Sequence, residues 1–296
     1  MGDEGYFPKG RSMLRRVHEQ RAVGLHYGQR ALCIGALKPL NYVGTSRHSK
    51  HKQTPFKRLA HTAEMFETVM FGTREEADRV LKAVEAMHRR VVGVLPEDAG
   101  PHYPAGTPYS AFDPELMLWT VAVMYDSAAC FHDLLVRRLS DEERDALWKD
   151  YIRFGELFGM PRDVAPPDWP SFRAWYEEQL AGDDLYLTPE ARYMGYASAF
   201  EIPMPRHLQG AKRIHDLLML GSLPPRVREI YGLRWTPAHA AAFNAVTLWA
   251  RTTRPFVPRP VREGSCRASF RMVAETERRR IERGEPTPQV PVSAEA

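Results

Sequence analysis

The chain has 296 residues, 44% of them hydrophobic and 26% charged, which is enough to bury a sizeable core and excludes a disordered or fibrous chain. Its net charge of +4 is scattered, and the one dense basic run, Arg47 to Lys52, is short and free of interleaved aromatics. That run reads as a solvated loop, and nothing else in the pattern asks for nucleic acid. Three widely separated cysteines, Cys33, Cys130 and Cys266, exclude a disulfide framework, a CxxC zinc pair and a covalent CxxCH haem attachment, and they suit a reducing, cytoplasmic compartment. No secretory leader pattern opens the chain. The most apolar stretch, Leu116 to Cys130, carries Asp126 and is too short for a bilayer span, so no integral membrane segment is expected.

In chain order, the first clear helix is predicted over about 56–71, where Leu59, Thr62, Met65, Phe66, Val69 and Met70 recur at three- and four-residue spacing. Gly72 ends it, and Thr73 with Glu76 forms a capping box for a second helix. Ala77, Val80, Leu81, Val84, Met87, His88 and Val91 make that helix's apolar stripe, which is expected to run to Gly93. So short a Gly-Thr connection makes the two helices antiparallel neighbours. After a Gly/Pro-rich loop, Asp113 and Pro114 start a long helix to about Arg138, apolar almost all round and therefore expected at the centre of the fold. Ser140 and Glu143 cap the next helix, and further helices are predicted near 170–181, 189–200, 206–219, 224–231, 237–252 and 267–283. The fold class is all-α, a single multi-helix domain over 1–284 with a loose tail over 285–296.

The chemistry-bearing residues concentrate on the first two helices. His88 lies in an apolar stripe, and Arg58, His61, Thr62 and Met65 share one face of the preceding helix. Counting from the turn at about 1.5 Å per residue puts His61 and His88 at levels differing by roughly 7 Å. Two imidazoles so placed could bracket a flat cofactor, hold a metal together, or be buried polar residues of an ordinary helical hairpin. Arg58, beside an apolar stripe, needs an anion: a cofactor carboxylate, bound oxygen or a side chain such as Asp126. Asp126 itself reads as one half of a structural pair. Glu85 and His88 form a single E-x-x-H, of which a di-iron bundle would need two.

The run RLAHTAEMFETVMFGTREEADRVLKAVEAMHRRVVG, followed by PYSAFDPELMLWTVAVMYDSA, resembles the helical haem-binding domain of latex-clearing rubber oxygenases and MpaB-type oxygenases. LHYGQRALCIGALKPLNYVGTSRHS upstream and LPPRVREIYGLRW downstream resemble further parts of it, so the likeness covers roughly residues 20–262. The resemblance implies non-covalent haem b, with His88 as proximal iron ligand. It also implies a distal R-x-x-K-T pattern that falls on Arg58, His61 and Thr62. The family lysine, which can be a sixth iron ligand, is here His61, and a family histidine two residues after the central tryptophan is here Val121. The implied activity is oxidation of a small apolar, isoprenoid-like substrate by O2, by C=C cleavage in rubber oxygenases, with Arg58, His61 and Thr62 as catalytic residues and a redox partner as an option. A bis-histidine haem protein for electron transfer or sensing is the alternative, and a non-haem iron helical protein the third reading.

Overall fold

The computed structural model describes residues 4–48 and 54–288, with the side chains of 44–48 left aside. The basic run over 47–52 and the tail from 289 onward therefore lie outside the side chains described. The fold is all-α. The helices, in order, are α1 (Met13–His18), α2 (Arg21–Gly24), α3 (Tyr27–Gly35), α4 (Pro39–His48), α5 (Pro55–Phe71), α6 (Arg74–His88), α7 (Pro114–Leu135) and α8 (Asp141–Leu157). They continue with α9 (Trp169–Ala181), α10 (Pro189–Phe200), α11 (Gln209–Ser222), α12 (Pro225–Tyr231), α13 (Pro237–Thr253), α14 (Arg259–Arg262) and α15 (Arg267–Glu282). The only paired strands among the described residues are β1 (Val92–Val94) and β2 (Pro108–Ser110), antiparallel with Gly93 opposite Tyr109.

Most helix starts are written locally. Thr73 and Ser140 accept from the amides of Glu76 and Glu143, whose side chains return the bond, completing both capping boxes. Asp113 accepts from the amides of Glu115 and Leu116 ahead of the 22-residue α7. At the end of α12, Gly232 takes φ +70, a left-handed cap that a residue with a Cβ adopts only at a cost.

Helix α7 is the hub. Fourteen of its side chains are buried, among them Trp119, Tyr125 and Phe131, and α3, α8, α2 and α13 pack around it. Tyr125, Trp148, Tyr151 and Phe172 meet in edge-on and tilted ring pairs that join α7 to α8 and α9. Each such side chain, fully buried, contributes about 1.5–3 kcal/mol. Asp126, the charge within this helix, accepts from the buried Arg30 of α3 at 2.6 Å and from Tyr176 of α9 at 3.3 Å, so it is half of a structural pair.

Helix α15 lies along α5, the helix of the candidate site. Thr54, the N-cap of α5, makes no side-chain capping bond. The cap comes instead from the buried Glu277 of α15, whose carboxylate accepts from the amides of Phe56 (3.0 Å) and Lys57 (2.8 Å). At the other end Glu67 of α5 accepts from the amide of Cys266 at 2.7 Å and from the Ser265 hydroxyl, holding the start of α15. Each helix thus supplies an anion to the positive end of the other.

The structure departs from the sequence expectation in three places. Helix α6 ends at His88 and not at Gly93, because residues 92–94 leave the helix to pair with 108–110. Met87, expected in the apolar stripe, is half exposed, so the stripe is narrower. The first 48 residues hold four helices ahead of the first one expected from the sequence.

Candidate functional site

His88 closes α6, and its half-buried ring meets Phe112 edge-on at 5.9 Å between centroids. Its Nδ1 is buried with no hydrogen-bond partner, and among the described residues neither ring nitrogen has a protein partner. Burial holds its pKa below the usual histidine range, so the ring is neutral. A neutral imidazole with free nitrogens is the form that binds a metal, and an unsatisfied buried polar atom costs about 1–3 kcal/mol until something takes it up.

Arg58, in the first turns of α5, is half-buried and has no carboxylate at ion-pair distance among the described residues. Desolvation lowers its pKa, and the phenol of Tyr42 on α4 acts against that shift. Tyr42 in turn senses Glu190 at the start of α10, and burial raises its pKa. An unneutralised guanidinium this close to the interior is a docking point for an anion or for a group that becomes negative during a reaction. Thr62, one turn on, donates its hydroxyl proton to the Arg58 carbonyl at 3.1 Å. Its oxygen lone pairs therefore remain free to accept.

His61 is exposed. At helical spacing it lies with Lys57, Glu64 and Thr68, and the last two are bound by Arg271 and Arg267 of α15. It therefore sits at the exposed edge of the face it shares with Arg58, Thr62 and Met65, on the flank of α5 toward α15. The expectation of two imidazoles enclosing one flat group from both sides gains nothing from this placement. Glu85, the other half of the E-x-x-H, is exposed and bound to Arg89 at 2.5 Å. Among the described residues no three His, Cys, Asp or Glu side chains cluster to hold a metal ion, whereas a haem iron needs only one protein ligand.

Tyr42, Phe112 and Glu190 are the neighbours that sequence reasoning missed. Helix α4 packs on β2 and α7, which brings Tyr42 to Arg58 and leaves Phe112, two residues past β2, against His88.

The family described as "ER-bound oxygenase mpaB/B'/Rubber oxygenase, catalytic domain" matches residues 15–252. The chain belongs to this oxygenase family. Two relatives are the uncharacterized protein Mb2261 of Mycobacterium bovis and the uncharacterized protein Rv2237 of Mycobacterium tuberculosis. Each is 27% identical over 205 residues, covering 69% of this chain and 76% of the relative. No solved structure matches the chain significantly. For this mpaB/rubber-oxygenase member, the matched segment contains Arg58, His61, Thr62 and His88 and stops short of α15.

Proposed function

We propose that this member of the family is a haem b-dependent oxygenase acting on a small apolar substrate, with His88 as the proximal ligand. The observation that carries the reading is the neutral His88 ring with its orphaned buried Nδ1. The residues fit a haem: His88 offers a free nitrogen, and Arg58 offers an uncompensated positive charge for a propionate or for the oxygen side. When bound, the haem supplies the iron at which O2 is activated for oxidation of the substrate, an isoprenoid-like C=C bond being the class the family suggests.

The chain's own residues do the rest. His88 stays neutral because its surroundings are desolvated, which keeps a lone pair available at neutral pH. Arg58 would offer N–H donors to negative charge that develops on the bound oxidant or substrate, and its partial desolvation would strengthen them. Thr62 accepts a hydrogen bond there, its own proton being engaged with the Arg58 carbonyl. His61, three residues from Arg58 on α5, would stand with Arg58 and Thr62 on the same side of the bound group, where the family has a lysine.

Haem titration of the full chain tests the reading. A saturating Soret band at one haem per chain, and carbon monoxide binding after reduction, are the expected results. Absence of a Soret band after haem is supplied overturns it.

A further inference from the structure

At the end of α13, four large apolar side chains stand in solvent: Leu248 at 59% exposure, Trp249 at 63%, Phe256 at 86% and Val261 at 58%. The 3₁₀ turn Arg254–Phe256 continues α13 directly, so Trp249 and Phe256 lie two turns apart on one side of an almost unbroken helical rod. Helix α14 folds back on this turn through Arg262, which donates to the Arg254 carbonyl at 3.3 Å, and this keeps Val261 in the same region. A Phe left this open is unusual on a soluble surface, and a contiguous group marks a contact site.

The charge around the group is predominantly positive. Arg251, Arg254, Arg259 and Arg262 alternate with the apolar side chains in sequence, against Glu263, which pairs with Arg259 at 2.5 Å and Arg262 at 3.7 Å, and the nearby Glu19. Arg21 joins them by donating to the Val261 carbonyl at 3.2 Å. Each of these four exposed apolar residues lies within three positions of a guanidinium. Interleaved aromatic and cationic side chains match the boundary between lipid headgroups and acyl chains. No helix among the described residues is long and apolar enough to cross a membrane, so the contact this face can make is with the surface layer.

We propose that the face formed by Leu248, Trp249, Phe256 and Val261 with Arg251 and Arg259 docks the protein peripherally on a bilayer bearing anionic phospholipid. Phe256 and Trp249 enter the boundary layer, and the arginines meet lipid phosphates. The inference rests on this face alone and is independent of haem.

Cosedimentation of the full chain with vesicles tests it, using phosphatidylcholine alone and phosphatidylcholine mixed with phosphatidylglycerol. Binding to the mixed vesicles is expected, weakening with added salt and by about fivefold per arginine in Arg251→Glu and Arg259→Glu. The double variant W249D/F256D should bind at least about tenfold more weakly with an unchanged melting temperature, since both side chains are exposed. Three results overturn the proposal: no binding to the mixed vesicles, equal binding to both vesicle types, or undiminished binding by W249D/F256D. Concentration-dependent self-association that W249D/F256D abolishes, without vesicle binding, would assign the face to a second copy of the chain.

Discussion

The carboxylate of Glu277, buried on the last long helix, accepts a hydrogen bond from the backbone N–H of Phe56 at 3.0 Å, two residues before Arg58. With the bond from Lys57 it supplies the cap that Thr54 does not, so α15 sets where α5 begins. Glu277→Ala should destabilise the fold by about 1–3 kcal/mol, because two N–H groups lose a charged acceptor in a buried place. Urea denaturation measures this. Faster hydrogen exchange at Phe56 and Lys57 than at the Glu76 amide would locate the loss.

The Arg30–Asp126 pair sets a second expectation. Arg30 is almost fully buried, so Asp126→Ala leaves an uncompensated interior cation and should cost about 3–5 kcal/mol. Replacing both partners with Met or Leu of similar volume should recover most of that loss. An Asp126→Ala protein with an unshifted urea midpoint would show that water already screens the pair.

Stability should fall steeply toward acid. Burial lowers the pKa of His18 and His26 to about 3 and of His132 and His215 to about 4. The His26 and His215 rings also stack at 5.0 Å, so a charge on one opposes a charge on the other. A histidine whose folded pKa is depressed stays neutral in the fold while the unfolded chain takes up a proton below about pH 6.5. Its contribution is therefore complete above that pH and is lost as pH falls toward 4, at up to about 1.4 kcal/mol per pH unit for each group. A melting temperature that drops between pH 6.5 and 4 is expected. A flat profile would mean that these rings are hydrated.

The helices were legible wherever their signals are local. Thr73 with Glu76, Ser140 with Glu143, and Asp113 with Pro114 mark starts through bonds within four residues, and all three stand in the structure. The end of α6 was not legible, because pairing between residues 92–94 and 108–110 decides it across a loop. Spacing placed Arg58, His61, Thr62 and Met65 on one side of α5. It could not tell that His61 falls toward α15, since Arg267 and Arg271 lie some two hundred residues away in the chain. Tyr42, Phe112 and Glu190 come to the site by tertiary packing alone and leave no periodic trace.

Arg58 separates stability from chemistry. It has no carboxylate partner among the described residues, so Arg58→Met should leave the haem-free fold as stable or slightly more so. Oxygenase turnover of the same variant should fall by about 10²–10³-fold, the usual cost of removing one preorganised donor. Parallel melting curves and oxygen-uptake rates make the comparison. A large loss of stability would mean that Arg58 serves the fold.

Haem titration of the wild-type chain beside His88→Ala and His61→Ala bears most directly on the site. If the neutral, unpartnered ring of His88 is the iron ligand, His88→Ala fails to retain haem, while His61→Ala, altered at an exposed position, retains it in equimolar amount. A His88→Ala protein that keeps full haem occupancy and an unchanged Soret band would contradict the account.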